Sequence, residues 1–247
     1  MAVQRITSEI SGFDKLVGGG FPKGSISLIS GTPGTGKSIF CLQVAYFNAL
    51  QGKKALYVDF EETEEDINGQ MEIFGWDLKK AGKNLEIYSD HVDDADLLLK
   101  LQRKIKENKW DIIVIDSLAS LLPTPAASNK KYSLHELLDT VIPVPLDLES
   151  VGRLRVKAVL SILKQSGATC FVTSERIEGL PGYSRDTISE FLCDAVILTY
   201  YYGIGAVDFR SMRIIKFRRS NHEKDYILFN ITSKGIDLIE DPLKNKR

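Results

Sequence analysis

Apolar residues along this chain follow two rhythms. Short runs at 25–30, 54–60, 85–88, 110–116 and 169–174 are rich in β-branched and aromatic residues and predict strands. Between them, apolar positions recur at helical spacing over 39–50, 93–107 and about 148–166. The first of these segments stops at Gly52, and Asp93, Asp94 and Asp96 put carboxylates into the first turn of the second, where the helix dipole favours them. Thr63 and Asp66 have the spacing to cap a further helix after the strand at 54–60. Strands alternating with helices predict an α/β fold with a mostly parallel sheet. The run 110–116 is the most continuously apolar, as a central strand covered on both faces should be. From residue 191 the pattern changes. The runs 195–202, 211–218 and 225–232 follow one another without a helix, with Gly203-Ile204-Gly205 as a turn, and predict antiparallel strands. Residues 5–24 are a bend-rich entry, and 120–147 is broken by Pro123, Pro125, Pro143 and Pro145, with Ser133 and Glu136 able to cap a short helix inside it. No repeat or low-complexity linker divides the chain, so residues 1–247 are read as one domain.

The stretch Gly31-Thr32-Pro33-Gly34-Thr35-Gly36-Lys37-Ser38 matches the phosphate-binding pattern G-x-x-x-x-G-K-[ST] at every fixed position, and it lies between a strand and a helix as that pattern requires. Glycines at 31, 34 and 36 let the backbone turn tightly and aim successive N–H groups at a polyphosphate. The helix that opens at Lys37 adds its positive end. Lys37 is spaced to reach the terminal phosphates and the Ser38 hydroxyl to bind Mg²⁺, with Ile39 completing the nucleotide-contacting run.

Composition changes this picture little. The chain is 43% apolar and 26% charged with a net charge of −1, and its isoelectric point near 6.3 rules out a surface basic all over. Any nucleic-acid contact has to come from a local patch. Cys41, Cys170 and Cys193, and His91, His135 and His222, are too scattered for a metal site and suit buried, reduced thiols. The N-terminus has no signal-peptide core and no run reaches membrane-spanning length, so no membrane association and a cytoplasmic location are expected.

In a parallel sheet, ligands bind beyond the carboxyl ends of the strands. Asp116 ends the strand at 110–116 and suits an acid that holds Mg²⁺ directly or through water; the plain alternative is a helix cap. Glu61 and Glu62 leave the strand at 54–60 on the same edge. Two adjacent carboxylates there suit a base that orients water for attack on a γ-phosphate, and they also suit a solvated helix start.

These motifs resemble the RecA-type recombinase superfamily, and within it the single-domain KaiC-like and RadA-like ATPases. The lead-in GFDKLVGGGFPKGSISLISGTPGTGKS, then FEET, VIDSLASL, VTSERI and KFRRSNHEKDY, follow that family in order and spacing over nearly the whole chain. The resemblance implies a RecA-like P-loop core that hydrolyses ATP with Mg²⁺ at the subunit interfaces of a ring or filament. It makes Glu61 or Glu62 the catalytic base, Asp116 the second acid, and Ser174-Glu175 a phosphate-sensing segment. Lys216 and Arg218 match a Lys-x-Arg pair that reaches a neighbouring subunit's nucleotide. On a strand, residues two apart leave one face while Ile215 and Phe217 turn to the other; a basic edge strand is the alternative use of such a pair. By the same resemblance, segments 122–155 and 176–190 lie where DNA-binding loops project. They carry Lys130, Lys131, Arg153, Arg155, Arg176 and Arg185, with Tyr132 and Tyr183 able to stack on bases. A RadA paralogue that binds single-stranded DNA and modulates recombination or repair, beside a recombinase, is the leading expectation. A KaiC-like signalling ATPase without DNA binding is the alternative. The clock protein's phosphorylated Ser-Thr pair falls on Glu190-Phe191, so no autokinase activity is expected, and with no match to the recombinases' N-terminal DNA-binding domain within these residues, strand exchange by this chain alone is not expected.

Overall fold

The computed structural model describes residues 3–91, 96–122, 148–179, 181–204 and 207–239. A two-stranded ribbon pairs β1 (Arg5–Ile6) with β2 (Phe21–Pro22) around the helical turn α1 (Phe13–Leu16). There follow β3 (Ile26–Gly31), α2 (Lys37–Leu50), β4 (Ala55–Asp59), α3 (Glu64–Ile73), α4 (Leu78–Ala81), β5 (Leu85–Ser89), α5 (Leu97–Glu107) and β6 (Ile112–Asp116). Next come α6 (Leu148–Ser166), β7 (Thr169–Glu175), α7 (Ser189–Leu192), β8 (Ala195–Ile204), β9 (Val207–Phe217), β10 (Ile227–Thr232) and β11 (Gly235–Leu238). The main sheet has the order β11-β10-β9-β8-β3-β7-β6-β4-β5 among the described residues.

The strands β3, β4 and β6 are buried along their whole length, which is why they read as unbroken apolar runs. Neighbouring residues feed opposite cores. Ile29, Tyr57 and Val114 face α2, while Leu28, Leu56 and Ile113 face α5 and α6. Between the entry ribbon and the sheet, Phe21 packs edge-on to Phe171 at 4.7 Å between ring centroids, and Phe13 packs edge-on to Phe40 at 5.5 Å. Each such buried ring contributes roughly 1.5–3 kcal/mol of hydrophobic stabilisation, so this cluster ties the entry ribbon and α2 to the sheet. The expected cap forms: the Thr63 hydroxyl accepts from the Asp66 N–H and the Asp66 carboxylate accepts from the Thr63 N–H.

Three expectations are corrected. β8 is not purely antiparallel: it runs parallel to β3, from Ser27↔Ala195 to Gly31↔Thr199, and antiparallel to β9. It is therefore the last parallel strand, and the helix-poor C-terminal pattern hid this. β11 adds a strand beyond 225–232. A bulge opposite Val196 and Ile197 breaks the alternation in β9, so Ile215 packs against the α5–α6 core while Phe217 packs against the α2 core. The described part of α5 starts at Leu97, and Asp93, Asp94, Ser133 and Glu136 lie outside the described residues.

Candidate functional site

Strand register brings the chemistry to one edge. Gly31 at the end of β3 pairs with Glu175 of β7, and Asp59 at the end of β4 pairs with Asp116 of β6. Between β3 and α2 the chain arches. Gly34 has φ 76° and Gly36, which precedes α2, has φ 90°, backbone that only glycine adopts freely. A Cβ at Gly34 would meet nothing within 4 Å, so the crown of the loop opens on space that a polyphosphate can fill. Gly31 answers to a different constraint than the turn expected of it. Its φ is ordinary, but a side chain would collide with the Thr199 hydroxyl and carbonyl on β8 and lie 2.8 Å from the Thr35 hydroxyl. Thr199 donates to Thr35, and Thr35 to the Thr32 carbonyl, both at 2.8 Å, which fixes the loop to β8.

The Lys37 ammonium donates to the Thr32 carbonyl at 3.0 Å. Burial lowers its pKa, and the carboxylates of Asp116, Glu175 and Glu61 pull the other way. Pro33 is exposed on the crown, Ser38 sits partly exposed in the first turn of α2, and Ile39 turns its side chain onto the α2 core. Asp116 is 7% exposed and accepts from Tyr57 Oη at 2.6 Å and Thr173 Oγ1 at 2.5 Å. A carboxylate and the Ser38 hydroxyl are hard oxygen donors, and Mg²⁺ prefers one or two of these with water and substrate phosphates making up the rest. The residues therefore fit that ion.

The two glutamates part company. Glu61 Oε1 accepts from Ser117 Oγ at 3.3 Å and from Ser120 Oγ, which turns it toward the Asp116 strand end. Glu62 Oε2 accepts from Gln70 Nε2 on α3 at 2.6 Å, and burial raises its pKa. Sequence reasoning passed over Asp59, whose Oδ1 accepts the N–H groups of Glu61 and Glu62 at 2.7 and 2.8 Å. Its position as the last residue of a strand leading into Glu-Glu was the available signal. It also passed over Arg210, whose Nε donates to the Gly34 carbonyl at 3.3 Å while the guanidinium lies 4.6 Å from the Tyr201 ring centroid. Glu175 pairs with Arg185 at 3.0 Å.

Lys216 and Arg218 do not join this constellation within one chain. Lys216 pairs with Val196, three residues below Thr199 on β8, and its Nζ donates to the carbonyls of Glu190 and Phe191 at 3.0 and 3.2 Å. Arg218 lies 3.8 Å from Asp194, beside the start of β3. Among the basic residues expected on DNA-facing loops, Arg153 pairs with Glu149, Arg185 with Glu175, and Arg176 lies over Tyr200. Lys130, Lys131 and Tyr132 lie outside the described residues. No helix among the described residues is long and apolar enough to cross a membrane.

A family model described as the KaiC ATPase matches residues 6–242. The circadian clock oscillator protein KaiC of Synechococcus elongatus is 32% identical over 241 residues, covering 96% of this chain and 44% of that protein. The protein of the same name from Acaryochloris marina is 30% identical over 240 residues, with the same coverage. The chain thus spans less than half the length of these curated relatives. A crystal structure of a KaiC-like protein from Pyrococcus horikoshii OT3 superposes with a TM-score of 0.77 at 29% identity, covering 97% of this chain and all of that one.

Proposed function

The chain belongs to the KaiC ATPase family, and from that premise we propose that it binds Mg·ATP over the loop from Gly31 to Ser38 and hydrolyses it at a site that a second copy completes. The observation that carries this reading is the convergence at one sheet edge of the phosphate loop, Asp116 and a Glu61 carboxylate held by two serines. Ser38 and, directly or through water, Asp116 would hold Mg²⁺, which would offset the phosphate charge. Lys37 exchanges the Thr32 carbonyl for phosphate oxygens. Glu61 orients the attacking water and takes its proton, because Ser117 and Ser120 hold its carboxylate at the edge that carries Asp116. Glu62 is held away on α3. Lys216 and Arg218, out of reach of their own loop, supply cations to a neighbour's phosphates, which makes self-association part of the chemistry.

A phosphate-release assay tests the assignment. Glu61→Gln is expected to lower turnover by about 10²–10⁴, the usual worth of a positioned general base, and Glu62→Gln by less than about tenfold. Equal losses, or loss through Glu62 alone, would reverse the roles. Within the family, a recombination-associated ATPase and a signalling ATPase differ in nucleic-acid binding. Sedimentation with Mg·ATP and a labelled single strand separates them: a strand bound at low salt and released as salt rises supports the first, and nucleotide-dependent assembly alone supports the second.

A further inference from the structure

Asp59 has no role in the reading above, yet it is placed with unusual care. It closes β4, is 4% exposed, and stands in register with Asp116 on one side and Ser89 on the other. One carboxylate oxygen takes two successive amide protons, those of Glu61 at 2.7 Å and Glu62 at 2.8 Å. A carboxylate that merely closes a surface turn stays in water. This one has been moved indoors, and burial, with Asp116 and Glu62 adding to it, pushes its pKa up to about 7 against the pull of the two amides. The chain is held there from the backbone side as well: Phe60 N–H donates to the Asp116 carbonyl at 2.9 Å, and the Asp59 carbonyl accepts from Asp90 N–H at 3.2 Å. The Glu61 backbone is therefore clamped by Asp59 and its carboxylate by Ser117 and Ser120.

We propose that Asp59 is a positioning residue for hydrolysis: by holding both amides of the Glu61-Glu62 turn, it sets where the Glu61 carboxylate stands over the phosphate loop. This rests on Glu61 as the water-orienting group. The acceptor of both hydrogen bonds stands two residues before Glu61, so their loss lets the turn drift by the length of a bond. A displacement of about 1 Å at a reacting group can cost on the order of a hundredfold in rate. The nucleotide itself is bound by the Gly31–Ser38 loop, which Asp59 does not touch, so affinity should stay.

The test is steady-state phosphate release with nucleotide affinity measured in parallel by titration of a fluorescent ATP analogue with Mg²⁺. Asp59→Ala is expected to lower kcat by about 10–100-fold and to change analogue affinity by less than about threefold. Asp59→Asn, which keeps an oxygen at the same place, should recover most of that loss. In the double variant Asp59→Ala/Glu61→Gln, turnover should fall no further than in Glu61→Gln, because the two changes act through one group. Should Asp59→Ala fail to fold, Asp59→Ser, whose hydroxyl is too short to span both amides, carries the same comparison. An unchanged kcat in Asp59→Ala, a loss expressed in affinity alone, or multiplying effects in the double variant would overturn the proposal. If Glu61→Gln hydrolyses at the full rate, the fault lies in the assignment of Glu61 and not in Asp59, and the single variants tell the two apart.

Discussion

The two ends of the central strands are built on opposite plans. At the carboxyl end, Gly31, Asp59, Asp116 and Glu175 come from four neighbouring parallel strands and face one loop that opens on empty space. At the amino end, the cations Lys216, Arg218 and Lys164 gather around Asp194, whose Oδ2 accepts the Ile26 N–H at 3.0 Å, and the carbonyls that close α7. The first end has acids and a cradle, and its arginines Arg185 and Arg210 are engaged with Glu175 and the Gly34 carbonyl, which leaves Lys37 for a triphosphate's charge. Among the described residues the second has cations and no cradle. A parallel sheet cannot bring its own two ends together, so if both serve one reaction they belong to different copies. Arg218 is suited to the move, since its side chain is 55% exposed and its contact with Asp194, at 3.8 Å, is loose.

The largest effect follows from that division. Arg218→Ala should reduce turnover by about 10³, or roughly 4 kcal/mol in activation free energy, with nucleotide binding to the Gly31–Ser38 loop retained. Lys37→Ala should be inactive for the opposite reason. Mixed in equal amounts, two such inactive variants should regain up to about a quarter of the normal rate, because random assembly pairs an intact loop with an intact arginine at that frequency. A mixture as silent as its components would place both ends in separate business and leave the cations as a solubilising edge.

How far the sequence spoke depends on whether a constraint is local. The phosphate loop, Asp116 and the Thr63–Asp66 cap are legible because each is written within a few residues and its strand or helix is continuous. What was not legible arises between segments distant in the chain. Thr199 lies 168 residues from Gly31, and nothing in either neighbourhood says that their backbones meet. The bulge that turns Ile215 is set by pairing with β8, so strict alternation misplaced that side chain. Asp59 was hidden differently. It reads as the polar end of a strand, and only its burial and its two amide partners distinguish it from an ordinary turn.

The seam where β8 meets β3 offers a second, smaller test, because it joins the parallel half that carries the loop to the antiparallel half that carries the cations. Gly31→Ala forces a methyl group into the Thr199 carbonyl, and overpacking of this kind costs about 1–3 kcal/mol. For a chain of this size that is a fall of several degrees in Tm. Gly34→Ala meets no atom and strains only its own positive φ, by about 1–2 kcal/mol. The two differ in where the damage is felt. Only Gly31→Ala should loosen β8, and hydrogen exchange at the amides of 195–199 reads that directly. Equal protection of β8 in both variants would mean that the seam yields without cost.

The smallest effect separates the two glutamates inside the carboxyl end itself. Ser120→Ala removes one of two hydroxyls that hold the Glu61 carboxylate, and a hydrogen bond to a charged group is worth about 1.5–3 kcal/mol when both partners are well ordered. Ser120 is partly exposed and Ser117 remains, so the lower figure applies, and turnover should fall by about tenfold. Gln70→Ala releases the Glu62 carboxylate on the surface of α3, and turnover should change by less than about twofold. The order of the two effects matters more than their size. A carboxylate that works must be held where it works, so the variant that frees Glu61 has to be the slower enzyme; if freeing Glu62 costs more, the acid that faces the water is the one tied to α3, and the geometry at the strand end has been assigned to the wrong neighbour.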